Sequence, residues 1–410
     1  MVWLEQLLVA QILEPPEVAI AEGGLQGINE ALDKLRNGAI SGKRIVVPIE
    51  TEGKNNLNGH TMPNRTNGTS KAKSIIDDIE YADKLNADPS RIKFAYWVPN
   101  VSGGLVISKI EMRTKWDLDS NAQYAKTAER YGFDKGRIAV NVVSGWFKQE
   151  FTSIGQWWLD HGERYRRSRE FIACLKGIWT QDQFNFSGDF YQFHDYPLRP
   201  KPLARSGRPY PEIFQGGNSE DARENAAVGS DYYFMNGNTL EGFQTQIKDV
   251  KERAKQHGRE GQVKFAVNSF VIARETEEEA IRVLQEIQGK ANKEAVEAFQ
   301  DAVKNAGAST SNKTGMWADS KFEDLVQYND GFKTKLIGTP EQIADRILLL
   351  KSLGINILLI AFLHYDGDIQ QFGEQVLSLV RKLEAEGRGK DEELEISLTG
   401  DVYKARESVK

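Results

Sequence analysis

The chain carries one cysteine and five histidines in 410 residues, and its charged side chains leave a net charge of −6. A single cysteine excludes a disulfide framework. Cys174 sits between apolar Ile172 and Leu175 in a helical pattern, which is a packing position suited to a reducing compartment. No stretch concentrates Lys and Arg, so no surface is set up to neutralise a phosphate backbone, and nucleic acid is not an expected partner. Long apolar runs are also missing. The apolar start, Met1 to Leu13, is short, has no basic residues ahead of it and is broken by Glu5, so it resembles neither a signal peptide nor a membrane span. These absences imply a cytoplasmic chain with no membrane partner and no metal centre. What is present, 40% hydrophobic residues, is enough for an enzyme core of ordinary size.

Four stretches separate by composition. Residues 51–91 open with Asn, Thr, Gly and Lys and hold almost no apolar residue between Ile49 and Ile75, the pattern of a linker. Residues 387–410 are charged and weakly patterned, as expected of a tail. Residues 1–50 predict a helix over Gly27 to Leu35, an Asn37-Gly38 stop and a strand from Arg44 to Pro48. The runs Gly23-Gly24-Leu25-Gln26-Gly27-Ile28-Asn29-Glu30 and Asn37-Gly38-Ala39-Ile40-Ser41-Gly42-Lys43 resemble the C-terminal end of medium-chain alcohol dehydrogenases. Neither their zinc ligands nor a glycine-rich nucleotide loop accompanies the piece, which argues against nicotinamide chemistry.

Residues 92–386 repeat strand and helix. Strands are predicted at Lys93 to Val98, Ile138 to Val143, Pro211 to Phe214, Tyr232 to Met235, Val263 to Ala273 and Ile355 to Phe362. Helices are predicted from Ser120, over Asp160 to Trp179, Ser219 to Val228, Leu240 to His257, Glu277 to Ile287, Pro340 to Leu353 and Asp368 to Glu384. Short apolar strands alternating with amphipathic helices indicate an α/β fold with a parallel sheet, a TIM-type (β/α) barrel that is incomplete because a closed one takes eight strands. The place of the loss is legible. Tyr131-Gly132-Phe133-Asp134 ends one helix, and Lys135-Gly136-Arg137 reads as the exit from another, with no strand between them.

Two strand ends carry chemistry. After the strand ending at Phe214, Gln215-Gly216-Gly217-Asn218-Ser219 brings two glycines to the start of a helix that Asn218 or Ser219 caps. Backbone N–H groups and the helix dipole would converge there on a phosphate, although a plain capped turn reads the same locally. Asn141, inside an apolar strand that ends Val143-Ser144-Gly145-Trp146, requires a hydrogen-bond partner, either a bound cofactor or its own backbone. His364 follows the last strand, where a general acid or hydrogen-bond donor would stand, or simply a loop histidine. His161 and His194 read as capping or surface residues.

Phe94-Ala95-Tyr96-Trp97-Val98-Pro99-Asn100, Arg137-Ile138-Ala139-Val140-Asn141-Val142-Val143-Ser144-Gly145-Trp146 and Glu163-Arg164-Tyr165-Arg166-Arg167-Ser168 resemble the bacterial luciferase-like flavin monooxygenases. The resemblance spans about residues 92–386. It implies reduced FMN supplied by a separate NAD(P)H flavin reductase, O2 as co-substrate, oxygenation of a small organosulfur compound with C–S cleavage, and homo-oligomeric assembly. By the same resemblance, Gly216, Gly217, Asn218, Ser219 and Tyr165 hold the flavin phosphate, and Asn141, Ser144 and Gly145 lie along its ring. His364, Asn268 and Trp97 are the candidate catalytic residues. Asn268 and Phe270 stand where relatives acting on anionic sulfonates have arginine and histidine, so a neutral, dimethyl-sulfone-like compound is implied.

The family has two further strand–helix units between Phe133 and Ile138, roughly 60 residues at the usual size. In an intact barrel the flanking strands would stand about 14 Å apart, and the link from Gly132 to Arg137 can stretch roughly 16 Å. Either those strands pair directly or a gap remains. The alternative to an active enzyme is therefore a non-catalytic or unstable product of a truncated or fused gene model.

Overall fold

The computed structural model describes residues 18–20, 44–46, 88, 90–99, 105–134, 139–202, 209–307 and 320–389. The chain divides into two units, Met1–Lys71 and Ala72–Lys410. In the first, β1 (Val18–Ile20) pairs in parallel with β2 (Arg44–Val46). The rest of residues 1–50, where the dehydrogenase resemblance was noted, nearly all of the expected linker 51–91 and the expected tail beyond Gly389 lie outside the described residues.

The second unit is built on a parallel sheet. Its strands are β3 (Lys93–Tyr96), β4 (Val140–Val142), β7 (Ile213–Gly216), β8 (Tyr232–Met235), β9 (Lys264–Ala273), β10 (Leu336–Gly338) and β11 (Ile357–Phe362), while β5 (Phe184–Ser187) and β6 (Gln192–Tyr196) form a separate hairpin. The order is β3-β11-β9-β8-β7-β4, with β10 on the far end of β9. β9 is buried from Phe265 to Ala273, Asn268 and Ser269 included, because it is covered on both faces. One face meets the helices. Phe94, Phe265, Val267, Leu358, Ile360 and Phe362 pack there against Phe243, Ile343, Ile347 and Phe372. The other face, with Tyr232, Phe234, Ala266, Trp97 and Phe214, is the inner wall of a curled half-barrel.

The helices that position the site are α1 (Leu118–Arg130), α2 (His161–Thr180), α3 (Glu220–Gly229), α4 (Leu240–Gln256), α5 (Glu277–Gly289), α6 (Lys293–Gly307) and α7 (Pro340–Ser352). Ser219, Thr239, Thr276 and Thr339 cap α3, α4, α5 and α7 through their side chains, each satisfying an N–H of the first turn. The C-terminal helical run begins at Tyr365–Gln371 and ends in Ser378–Ala385.

The barrel is open between β3 and β4. Among the described residues β3 pairs only with β11 and β4 only with β7. Of the two outcomes allowed by the short link, the gap is the one found. Side chains that a closed barrel would cover are wet at its rim, with Val98 and Val143 each 58% exposed. Part of the free edge is closed by the end of α1's loop. The backbone N–H of Phe94 donates to Asp134 Oδ2 at 2.6 Å, and the Asp134 N–H donates to the Phe94 carbonyl at 3.1 Å. Arg381 stands 3.5 Å from the same carboxylate. Asp134 thus lies where a further strand would begin.

Candidate active site

Because every strand of the sheet runs in the same direction, their C-terminal ends form one mouth, the face on which barrel sites are built. β7 delivers Gly216 and Gly217 there. Gly217 has φ +127°, and a Cβ on it would stand 2.7 Å from both Ala222 Cβ and Tyr165 Oη. Only glycine leaves this hollow open. Ser219, rather than Asn218, is the N-cap, its Oγ accepting the Ala222 N–H at 3.2 Å. Asn218 is half-buried beside it.

Tyr165 rises from α2 into the same hollow, with the Ser219 and Ser144 hydroxyls near enough to its phenol to pull its pKa down against burial. Burial raises its pKa, so the hydroxyl keeps its proton. Ser144 Oγ lies 2.8 Å from Ser168 Oγ. Gly145, at φ +84°, has room only for hydrogen, since a Cβ would meet the Phe151 ring at 2.3 Å. Its carbonyl accepts from Arg164 Nε at 3.1 Å, and the buried guanidinium lies 4.0 Å over Trp158. Three of the residues expected at a cofactor phosphate, Tyr165, Gly217 and Ser219, are therefore brought together with Ser144, expected along the ring, from α2, the β7–α3 turn and the end of β4. Hydroxyls and open N–H groups around a glycine-lined hollow fit a phosphate.

Asn141 differs from expectation. Its side chain is exposed, so it has no need of a buried partner. The reason is the gap: β4 is an edge strand, and the face that a closed barrel would cover meets solvent.

On the other side of the mouth, Trp97 and Asn268 meet. The indole Nε1 donates to Asn268 Oδ1 at 2.7 Å, and the Trp97 ring meets Phe234 edge-on at 5.8 Å. Phe270 is fully buried against Phe332. His364 follows β11. Its Nδ1 accepts the Arg113 N–H at 3.0 Å, which places the ring proton on Nε2. Burial lowers the His364 pKa despite neighbouring Asp368, so the ring is neutral at pH 7.

Several site residues were missed in the sequence. His161, read there as a capping or surface residue, has Nδ1 2.7 Å from Asp221 Oδ2 and its ring 5.0 Å from that of Tyr165. Tyr233 Oη donates to the Gly217 carbonyl at 2.8 Å and braces the turn. Asn236, just past β8, has a buried Nδ2 with no partner, a donor open to a ligand. Only the position after a strand could have singled Asn236 out. Among the described residues no cluster of His, Cys, Asp and Glu could hold a metal, and no helix is long and apolar enough to cross a membrane.

Residues 134–356 match the luciferase-like monooxygenase family model. The chain belongs to this family. An FMNH2-dependent dimethylsulfone monooxygenase of Pseudomonas putida is 51% identical over 358 residues, covering 72% of this chain and 97% of the relative. One of the same description from Pseudomonas fluorescens is 48% identical, covering 72% and 96%. Among solved structures, EDTA monooxygenase from Chelativorans superposes with a TM-score of 0.54 at 15% identity, over 75% of this chain and 97% of that one, a likeness of fold.

The same comparison measures the loss. An alignment of 358 residues takes in 72% of a 410-residue chain, about 295 residues, so about 60 positions of the luciferase-like relative have no counterpart here. That is the size of two strand–helix units.

Proposed function

We propose that this chain descends from, and retains most of the site of, an FMNH2-dependent monooxygenase that oxygenates a small neutral organosulfur compound such as dimethyl sulfone with cleavage of a C–S bond. The convergence of Ser144, Tyr165 and Ser219 on the Gly217 hollow carries this reading. Relatives of half identity that are named for that reaction support it.

In this reading Gly216 to Ser219 hold the flavin phosphate with the Tyr165 hydroxyl beside it, while Asn141, Ser144 and Gly145 border the ring. Reduced FMN, when bound, supplies electrons for activating O2. The protein's own part is to bind, orient and exclude water. Trp97 and Phe234 form an apolar wall, Asn268 holds the indole in place, and His364 offers a neutral N–H at Nε2. A separate NAD(P)H flavin reductase, a homo-oligomeric state, a cytoplasmic location and the division into 1–50, 51–91, 92–386 and 387–410 belong to the same proposal.

The open edges of β3 and β4 favour a second reading, a non-catalytic product of a truncated or fused gene model. The two separate in one assay: reductase-supplied FMNH2, O2 and dimethyl sulfone, with sulfone consumption followed. Sulfone-dependent O2 uptake that appears once two strand–helix units are restored after Asp134, and that Gly217→Val abolishes, supports the first reading. No uptake by the restored chain supports the second.

A further inference from the structure

Asn268 is fully buried at the centre of β9, and its amide is held from both sides. An indole N–H can only donate, so Asn268 must turn Oδ1 toward Trp97. The Nδ2 group then faces acceptors only: Asn329 O at 3.0 Å, Gln327 Oε1 at 3.3 Å and Tyr328 O at 3.4 Å. Those acceptors come from one turn, in which Asn329 and Asp330 adopt left-handed backbone at φ +65° and +57°. Two successive non-glycine residues in that region persist only where their surroundings impose them. The surroundings are visible. Gln327 Oε1 also accepts the Gly331 N–H at 2.5 Å, the Gly237 N–H donates to Asn329 O at 2.9 Å, and a Cβ on Gly237 would lie 1.8 Å from the Asp330 carbonyl.

We propose that the turn from Gln327 to Gly331 is a positioning element for ligand specificity, fixing the Asn268 amide so that the Trp97 wall of the pocket presents no free donor or charge to a bound molecule. Both N–H groups of Asn268 are engaged by the turn, and its oxygen faces the indole. What remains toward the pocket is the face of Trp97 beside Phe234. Such a wall takes a small uncharged molecule and offers nothing to an anion's negative charge. This inference rests on the functional reading above for the identity of the ligand, but not for the role of Gln327.

The test uses the full 410-residue chain labelled with 15N at tryptophan, the Trp97 indole N–H signal being assigned by its loss in Trp97→Phe. Gln327→Ala should speed exchange of that indole proton roughly tenfold, the scale of one buried hydrogen bond, while the amides of β8 keep the parent rate. Gln327→Glu, which retains the acceptor, should restore slow exchange. Titration with dimethyl sulfone should move the indole signal, and methanesulfonate should not. Unchanged indole exchange in Gln327→Ala, equal acceleration of the β8 amides, or an equal response to methanesulfonate would each overturn the proposal. Absence of sulfone turnover in a chain with two strand–helix units restored after Asp134, with these results intact, would instead count against the functional reading alone.

Discussion

At the scale of single residues, the phosphate hollow depends on an absent side chain. Gly217→Val places a Cβ within 2.7 Å of Tyr165 Oη and Ala222 Cβ on a backbone at φ +127°, so reduced FMN binding should be lost. Titration of flavin into parent and variant checks this, and equal affinity would remove the hollow from the cofactor site. Asp330 offers a pH test of the turn. Burial drives its pKa up to about 6, against the opposing pull of Lys333 and the bond from Ser320 Oγ at 2.7 Å. A pKa raised above its unfolded value means that the native state favours the protonated form. The contribution is therefore full below pH 4 and lost as pH rises through about 6. Asp330→Asn, which tolerates the left-handed backbone, should flatten the pH dependence of unfolding between those values by on the order of 2 kcal/mol. Urea unfolding at several pH values measures it. The double glycine, the capping serine and the lone strand-end histidine were legible in the sequence because each has a local signature. Asn236, Gln327 and the Tyr165 contact to Ser144 were not, because only the fold brings them to the site.

At the scale of elements, the barrel's strands and helices were legible because the chain alternates continuous apolar runs with helical periodicity. Boundaries moved by a few residues, as at β7, which the sequence places at Pro211 to Phe214 and the fold at Ile213–Gly216. β10 and the turn after Gln327 escaped notice for a physical reason. Three residues carry no periodicity, and β10 exists only because the far end of β9 offers it a partner. α6 and the β5–β6 hairpin were likewise not among the predicted elements. The first unit has a different status, since β1 and β2 make a pair of three-residue strands. Starting the chain at Asp88 should change stability by no more than about 1 kcal/mol, the scale of a surface change. Thermal unfolding of the shortened chain tests this, and a large loss would show that the N-terminal residues are part of the core. Asp134 should matter more. Asp134→Ala leaves the Phe94 N–H without its acceptor and should cost about 1–3 kcal/mol in denaturant unfolding.

At the scale of the whole molecule, one half of the mouth is furnished and the other half is open. The cradle, the Trp97–Asn268 pair and His364 stand on strands that keep their neighbours, whereas Asn141, Val143 and Val98 lie at the rim where about 60 residues of the relatives have no counterpart. Water exclusion is what such a pocket contributes to flavin chemistry, and an open wall defeats it. The gap also bears on stability. Apolar surface left wet forgoes about 25 cal/mol for each Å², so a few hundred Å² would rival the roughly 5–15 kcal/mol by which a domain is stable. The decisive measurement is dimethyl sulfone consumption with reductase-supplied FMNH2, comparing the 410-residue chain with one in which two strand–helix units are restored after Asp134. Turnover in the restored chain and none in the chain as it stands is the predicted result; robust turnover by the 410-residue chain would contradict it.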